Sequence, residues 1–187
     1  ELGYLPETMR NFLARLGWAH GDDEVFTDEE LIAAFDVGGI GKTNSIFDMD
    51  KLNWLNAEKI KAAPPERLAE RLVPFLEKNG WRAAGDPRLP LMIANLRERA
   101  RTLVEMAEKC RMFFEAPAEY DAKAVKKWWK DGAREVIGRY LAWLEGLDEL
   151  RLEEVMPFAE KMAADLDVGL GKVAQPLRIA LTGTAVS

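Results

Sequence analysis

The sequence predicts a mainly α-helical fold, and three features predict it. Apolar residues recur at helical spacing along most of the chain. Capping residues, prolines and glycines punctuate those stretches where helices should start and stop. No run alternates apolar and polar residues as a half-buried strand would. The arrangement expected is a helical bundle or array in two or three small modules.

Each element has its own signal. Pro6 suits a first helical position, Met9, Phe12, Leu13 and Leu16 follow at helical spacing, and Gly17 closes the helix. His20-Gly-Asp-Asp is a loop. Thr27 and Glu30 make a capping box before Leu31, Ile32 and Phe35. A glycine-rich turn covers Gly38 to Gly41. Asp48 caps a helix with Leu52 and Leu55. Ala63-Pro64-Pro65 is the best early boundary, because prolines interrupt a continuing helix. Leu68, Leu72 and Leu76 mark the next helix, bent by Pro74 and ending near Gly80. Asp86-Pro87 opens a long helix, with Leu89, Ile93, Leu96, Ala100, Leu103, Ala107, Cys110 and Phe114 on one stripe. Ala116-Pro117 is a second boundary. Further helices fall around Val125 to Trp129, Val136 to Leu144 and Val155 to Leu166, and a last one runs to Leu181 before Thr182-Gly183.

Composition sets limits. The 187 residues are 48% apolar and 31% charged, enough for a real core. No apolar run approaches the roughly 18 to 20 residues that span a bilayer. The start, Glu1-Leu2-Gly3-Tyr4, has neither an initiator Met nor a basic stretch; it is not a signal peptide and reads as a chain entered partway through. The single Cys110 excludes an internal disulfide and fits a reducing compartment. One His and one Cys cannot make the usual zinc site. A net charge of -6 argues against a nonspecific nucleic-acid coat but leaves room for a local basic face.

Several groupings have a functional and a plainer reading. Gly38-Gly-Ile-Gly41-Lys42-Thr43 looks like a phosphate loop, but Asp36 occupies the place of the first glycine and a helix precedes it. A plain turn is expected. His20 beside Asp22, Asp23 and Glu24 reads as a solvated loop rather than a metal site. Cys110, on the apolar stripe, reads as a small buried hydrophobe. Trp128 and Trp129 with Lys126, Lys127, Lys130 and Arg134 suit a stacking and phosphate-binding surface. The favoured reading puts Trp128 toward the core and the lysines on a solvated face. On the long helix, Arg97 and Arg101 fall one turn apart and Arg99 on the opposite side. They form either a salt-bridged surface or a set reaching a base edge or phosphate. Spacing alone leaves both open.

A set of segments in order resembles the bacterial glutamyl-tRNA synthetases. It comprises Gly3-Tyr-Leu-Pro-Glu-Thr-Met-Arg-Asn-Phe-Leu-Ala-Arg-Leu-Gly-Trp18, His20-Gly-Asp-Asp-Glu24, Phe47-Asp-Met-Asp-Lys-Leu-Asn-Trp-Leu-Asn56, and Gln175-Pro-Leu-Arg178 with Ala180-Leu-Thr-Gly183. The middle, from Pro64 to Asp167, matches mostly by helix pattern. The resemblance implies a stem-contact region at residues 1-63 followed by two helical anticodon-binding modules, 64-116 and 117-187. It implies that Arg99 and Arg178, with Arg97 and Arg101 beside the first, meet the anticodon, and that Lys42 and Lys51 meet the tRNA stem. The partner implied is tRNA(Glu), with tRNA(Gln) as an open second.

The intact enzyme of that family uses ATP and Mg to join glutamate to its tRNA. The HIGH-type and KMSKS-type signatures that hold ATP are absent here, so no catalytic residue, metal or cofactor is assigned to this chain and it should be inactive alone. A cytoplasmic monomer with no membrane association is implied. Family sequences continue beyond Thr182-Gly183 with another helix, so the last module should leave part of its core uncovered and bind less tightly. The rival reading is a helical protein-interaction module without RNA affinity. A free-standing enzyme is the weakest reading, because no complete catalytic set is present.

Overall fold

The computed structural model describes residues 1–41, 46–130 and 132–186. The described residues contain ten α-helices, short 3-10 turns, and one isolated β-bridge between Trp18 and Ile40 in place of any sheet. The chain divides into two compact units, Glu1–Arg111 and Met112–Ser187. Among the described residues no helix is long and apolar enough to cross a membrane.

The first unit holds α1 (Pro6–Gly17), α2 (Asp28–Ala34), α3 (Met49–Ala62), α4 (Pro65–Glu77), α5 (Leu89–Leu96) and α6 (Leu103–Cys110). The expected caps are present. Pro6 is the first residue of α1, Thr27 and Glu30 form a reciprocal capping box, and the Asp48 carboxylate accepts the amides of Asp50 and Lys51. Phe12 of α1 packs with Leu52 and Leu55 of α3. Leu68, Leu72 and Leu76 of α4 are fully or almost fully buried, with α5 and α6 packed against that helix. Each such leucine contributes about 1.5–3 kcal/mol by leaving water. Glu7 of α1 pairs with Arg71 at 2.7 Å and Arg67 at 3.4 Å, tying α1 to α4 across the proline boundary.

The long helix expected from Leu89 to Phe114 is not continuous. It breaks into α5, a 3-10 turn at Arg97–Arg99, an extended segment, and α6. Ala100 has φ -124° and ψ 129°, and Thr102 has φ -139° and ψ 163°. The stripe is nonetheless buried as expected from Leu89 through Cys110. Two causes favour the break, the first of them local. The Thr102 hydroxyl accepts the Glu105 amide at 3.1 Å, and the Glu105 carboxylate accepts the Arg101 amide at 2.9 Å, so α6 has its own N-terminal cap. The other cause is tertiary: the Leu103 amide donates to the Gly3 carbonyl at 2.8 Å. Gly3 has φ +80°, and a Cβ there would lie 2.6 Å from the Val104 nitrogen, so only glycine permits this approach.

The second unit comprises α7 (Ala122–Trp128), α8 (Ala133–Glu145), α9 (Leu152–Asp165) and α10 (Leu170–Thr182). Helix α10 packs against the other three. Val136, Tyr140, Ala159, Met162, Ala163 and Val173 form its buried core, and the rings of Trp143 and Phe158 stack at 4.1 Å on its flank. Gly183 ends α10 at φ +76°, and its carbonyl accepts the Asp121 amide at 2.8 Å, joining the end of the unit to its beginning.

Candidate nucleic-acid interface

The arginines singled out in the sequence occupy two kinds of backbone. Arg97 and Arg99 bound the 3-10 turn after α5; Arg97 is half-buried and Arg99 exposed. The inference that Arg97 and Arg101 stand one helical turn apart, with Arg99 opposite, fails because the helix is broken between them. Arg101 lies on the extended segment and bonds Glu105 at 3.0 Å through its guanidinium. Burial pushes the Glu105 carboxyl up, but the backbone and guanidinium of Arg101 outweigh that and hold it below its ordinary value. Arg101 therefore serves the cap of α6 as well as facing solvent.

What holds the segment that follows this turn is Asn56 of α3, which is completely buried. Its side-chain oxygen accepts the Leu5 amide at 2.9 Å, and its NH2 group donates to the Arg101 carbonyl at 2.6 Å. One amide thus fastens the N-terminal strand of chain, α3 and the arginine segment together. Sequence reading passed over Asn56, though a signal was there. With Leu52 and Ile60, it occupies the buried stripe of α3 at spacings of four, where an apolar residue is expected. Asn11 does similar work nearby, accepting the Phe26 amide and donating to the Glu24 carbonyl.

Arg178 stands on regular helix. It is exposed on α10 and makes no ion pair among the described residues. Its neighbour Ile179 is fully buried, so packing of that side chain sets the direction in which Arg178 leaves the helix. Arg178 and the Arg97–Arg101 segment belong to different units. Lys51, on α3, pairs with Glu24 at 2.7 Å. Lys42 lies outside the described residues.

The remaining motifs resolve as follows. Around the glycine-rich turn the backbone donors are already engaged. Gly38 donates to the Asp36 side chain, Gly39 to the Asp36 carbonyl, Ile40 to Val37 and Gly41 to Gly17. Among the described residues of this turn, Gly38 to Gly41, no backbone amide is left open toward a phosphate, while Lys42 and Thr43 lie outside the described residues. His20 stacks on Trp18 at 5.5 Å. Among the described residues no group of three His, Cys, Asp or Glu side chains is placed to hold a metal ion. Cys110 is fully buried, and that burial pushes its thiol up to about 11. Trp128 is half-buried and the lysines around it are exposed, but Trp129 does not simply face water: its indole donates to the Pro176 carbonyl at 3.3 Å.

Comparison with known proteins matches residues 67–187 to the anticodon binding domain model and residues 1–54 to the model of the class I (E and Q) tRNA synthetase catalytic domain. The chain is 42% identical over 187 residues to a glutamate–tRNA ligase of Syntrophobacter fumaroxidans, covering 100% of this chain and 40% of the relative. It is 42% identical to glutamate–tRNA ligase 2 of Halorhodospira halophila, covering 99% of this chain and 39% of that one. A crystal structure of a glutamate tRNA ligase from Elizabethkingia meningosepticum superposes with TM-score 0.84 at 28% identity, over 97% of this chain and 36% of that chain. The chain thus spans about 40% of the length of the curated relatives it matches. No finding favours a protein-interaction module instead.

Proposed function

The chain belongs to the anticodon binding domain family of the glutamyl-tRNA synthetases, and from that premise we propose that it holds tRNA(Glu) by its anticodon end within a glutamate–tRNA ligase. The observation that carries this reading is the match of residues 67–187, which includes both arginine sites. Arg99 at the pinned turn and Arg178 on α10 contact anticodon bases or the adjoining phosphates, since a planar guanidinium suits both. Arg97 and Arg101 support the first site. Residues 1-63 face the tRNA stem, with Lys42 and Lys51 as contacts, and residues 64-116 and 117-187 act as the two anticodon-binding modules. The whole enzyme, a cytoplasmic monomer, uses ATP with Mg to activate glutamate before transfer to the tRNA. No residue of this chain is assigned to that step.

The test is a titration with tRNA(Glu) and its single-base anticodon variants at two salt concentrations. Affinity should fall with salt through counterion release. Arg99→Ala should cost about 1–3 kcal/mol and relax preference at one anticodon position. Equal affinity for every anticodon would overturn the assignment of base reading. Including tRNA(Gln) in the series decides whether it is a second partner.

A further inference from the structure

We propose that the face of α7 carrying Lys123, Lys126 and Lys127, extended by Lys130, is a second RNA surface that grips phosphates and reads no base. The proposal rests on the RNA-binding function above and adds a site to it. At 3.6 residues per turn, positions 123, 126 and 127 share one side of the helix. All four lysines are exposed. The opposite side is apolar. Ala124 is buried, Val125 and Trp128 are half-buried, and the Trp128 ring lies against Gly171 at the start of α10. Packing on α10 therefore fixes the lysine face outward.

Positive charge is concentrated on this face. The chain carries 32 acidic residues against 26 Lys and Arg. In the first unit Arg10, Lys51, Arg71 and Arg101 each have a carboxylate partner. Among the described residues the four lysines and the nearby Arg134 have none. Like charges gathered in one short stretch repel one another, and a polyanion relieves that repulsion.

Aromatic rings lie among the cations. Lys127 sits 4.8 Å from the Trp128 ring centre, and Tyr120 and Trp129, 43% and 37% exposed, pair at 5.2 Å. Cations interleaved with partly open rings fit a nucleic-acid backbone better than they fit an acidic protein. The Trp129 indole bonds the Pro176 carbonyl, two residues before Arg178 on α10, so this face and the proposed base-reading arginine share one packed framework.

The experiment uses the full chain with Lys123, Lys126, Lys127 and Lys130 all changed to Gln, and a second variant with all four changed to Arg. Each is titrated with tRNA(Glu) and with an RNA hairpin of scrambled loop, across a salt series. The Gln variant should lower the slope of log affinity against log salt by about one per lysine that contacts a phosphate, equally for both RNAs. The Arg variant should keep the wild-type slope, and anticodon preference should be unchanged in both. An unchanged slope in the Gln variant overturns the proposal, while Arg99→Ala in the same assay still reports separately on base reading. Slopes that fall with the scrambled hairpin support the phosphate surface even where all anticodons bind alike. A variant that loses polyglutamate binding but keeps its RNA slope assigns the face to acidic proteins instead.

Discussion

The two arginine sites differ in what holds them. Arg178 sits on an uninterrupted helix, and its direction follows from burial of Ile179 beside it. Arg99 sits where a helix has been broken, and the break is held by hydrogen bonds from residues distant in sequence, Asn56 and Gly3. The first site is set by helical register and apolar packing. The second is set by one buried amide and one glycine together with the local Thr102 cap. A register site tolerates change anywhere off the packed stripe, whereas a pinned site depends on a few polar contacts with no substitute.

Cys110 offers a way to separate the two, because it is the single thiol, is buried in the first unit, and is held protonated by that burial. The largest effect expected is on the register site. Ile179→Ala should destabilise the second unit by about 4 kcal/mol, within the range for truncating a buried isoleucine, while thiol labelling of Cys110 stays near the wild-type rate. A matching rise in labelling would break the comparison by showing that both units open together.

Asn56→Ala should cost about 3 kcal/mol by leaving the Leu5 amide and the Arg101 carbonyl without a partner. Here Cys110 labelling in mild urea should accelerate, and hydrogen exchange at Leu103 should rise as the Gly3 contact loosens. If exchange at Leu103 stays slow, the turn is held by the Thr102 cap rather than by Asn56.

The smallest effect is electrostatic. Burial raises the Glu7 carboxyl, but its backbone bond and the Arg71 and Arg67 guanidiniums outweigh that and leave it below its ordinary 4.5. A folded value below the unfolded one means the contribution is present above about pH 4.5 and is lost as pH falls through the folded value. Glu7→Gln should therefore flatten the acid limb of first-unit stability by about 1 kcal/mol or less, since Arg67 is well exposed. Urea midpoints from pH 3 to 7 for both proteins would measure it.

Much of this was legible in the sequence. The helices opened by Pro6, Thr27 and Asp48 start where those residues predict, and α10 ends at Gly183. The stripe from Leu89 to Cys110 is buried as its spacing requires. The break inside it was also written locally, since Thr102 and Glu105 stand at the same spacing as the Thr27 and Glu30 capping box. The apolar period masked it. Because α5 and α6 both pack on α4, the stripe reads as one helix although it belongs to two.

The sequence by itself determined a helical fold, most of the caps that divide it, the buried stripes of α4 and of Leu89 to Cys110, and the family resemblance. Each of these depends on neighbours within one or two turns, and a linear pattern records such neighbours fully. Only the tertiary structure decided that Lys51 is tied to Glu24 and that the segment following the Arg99 turn is fastened to Asn56. Those outcomes depend on which carboxylate or amide, 27 or 45 positions away, arrives beside each group. Hydrogen bonds act over about 3 Å, and spacing along a chain does not encode that meeting until the apolar faces have packed.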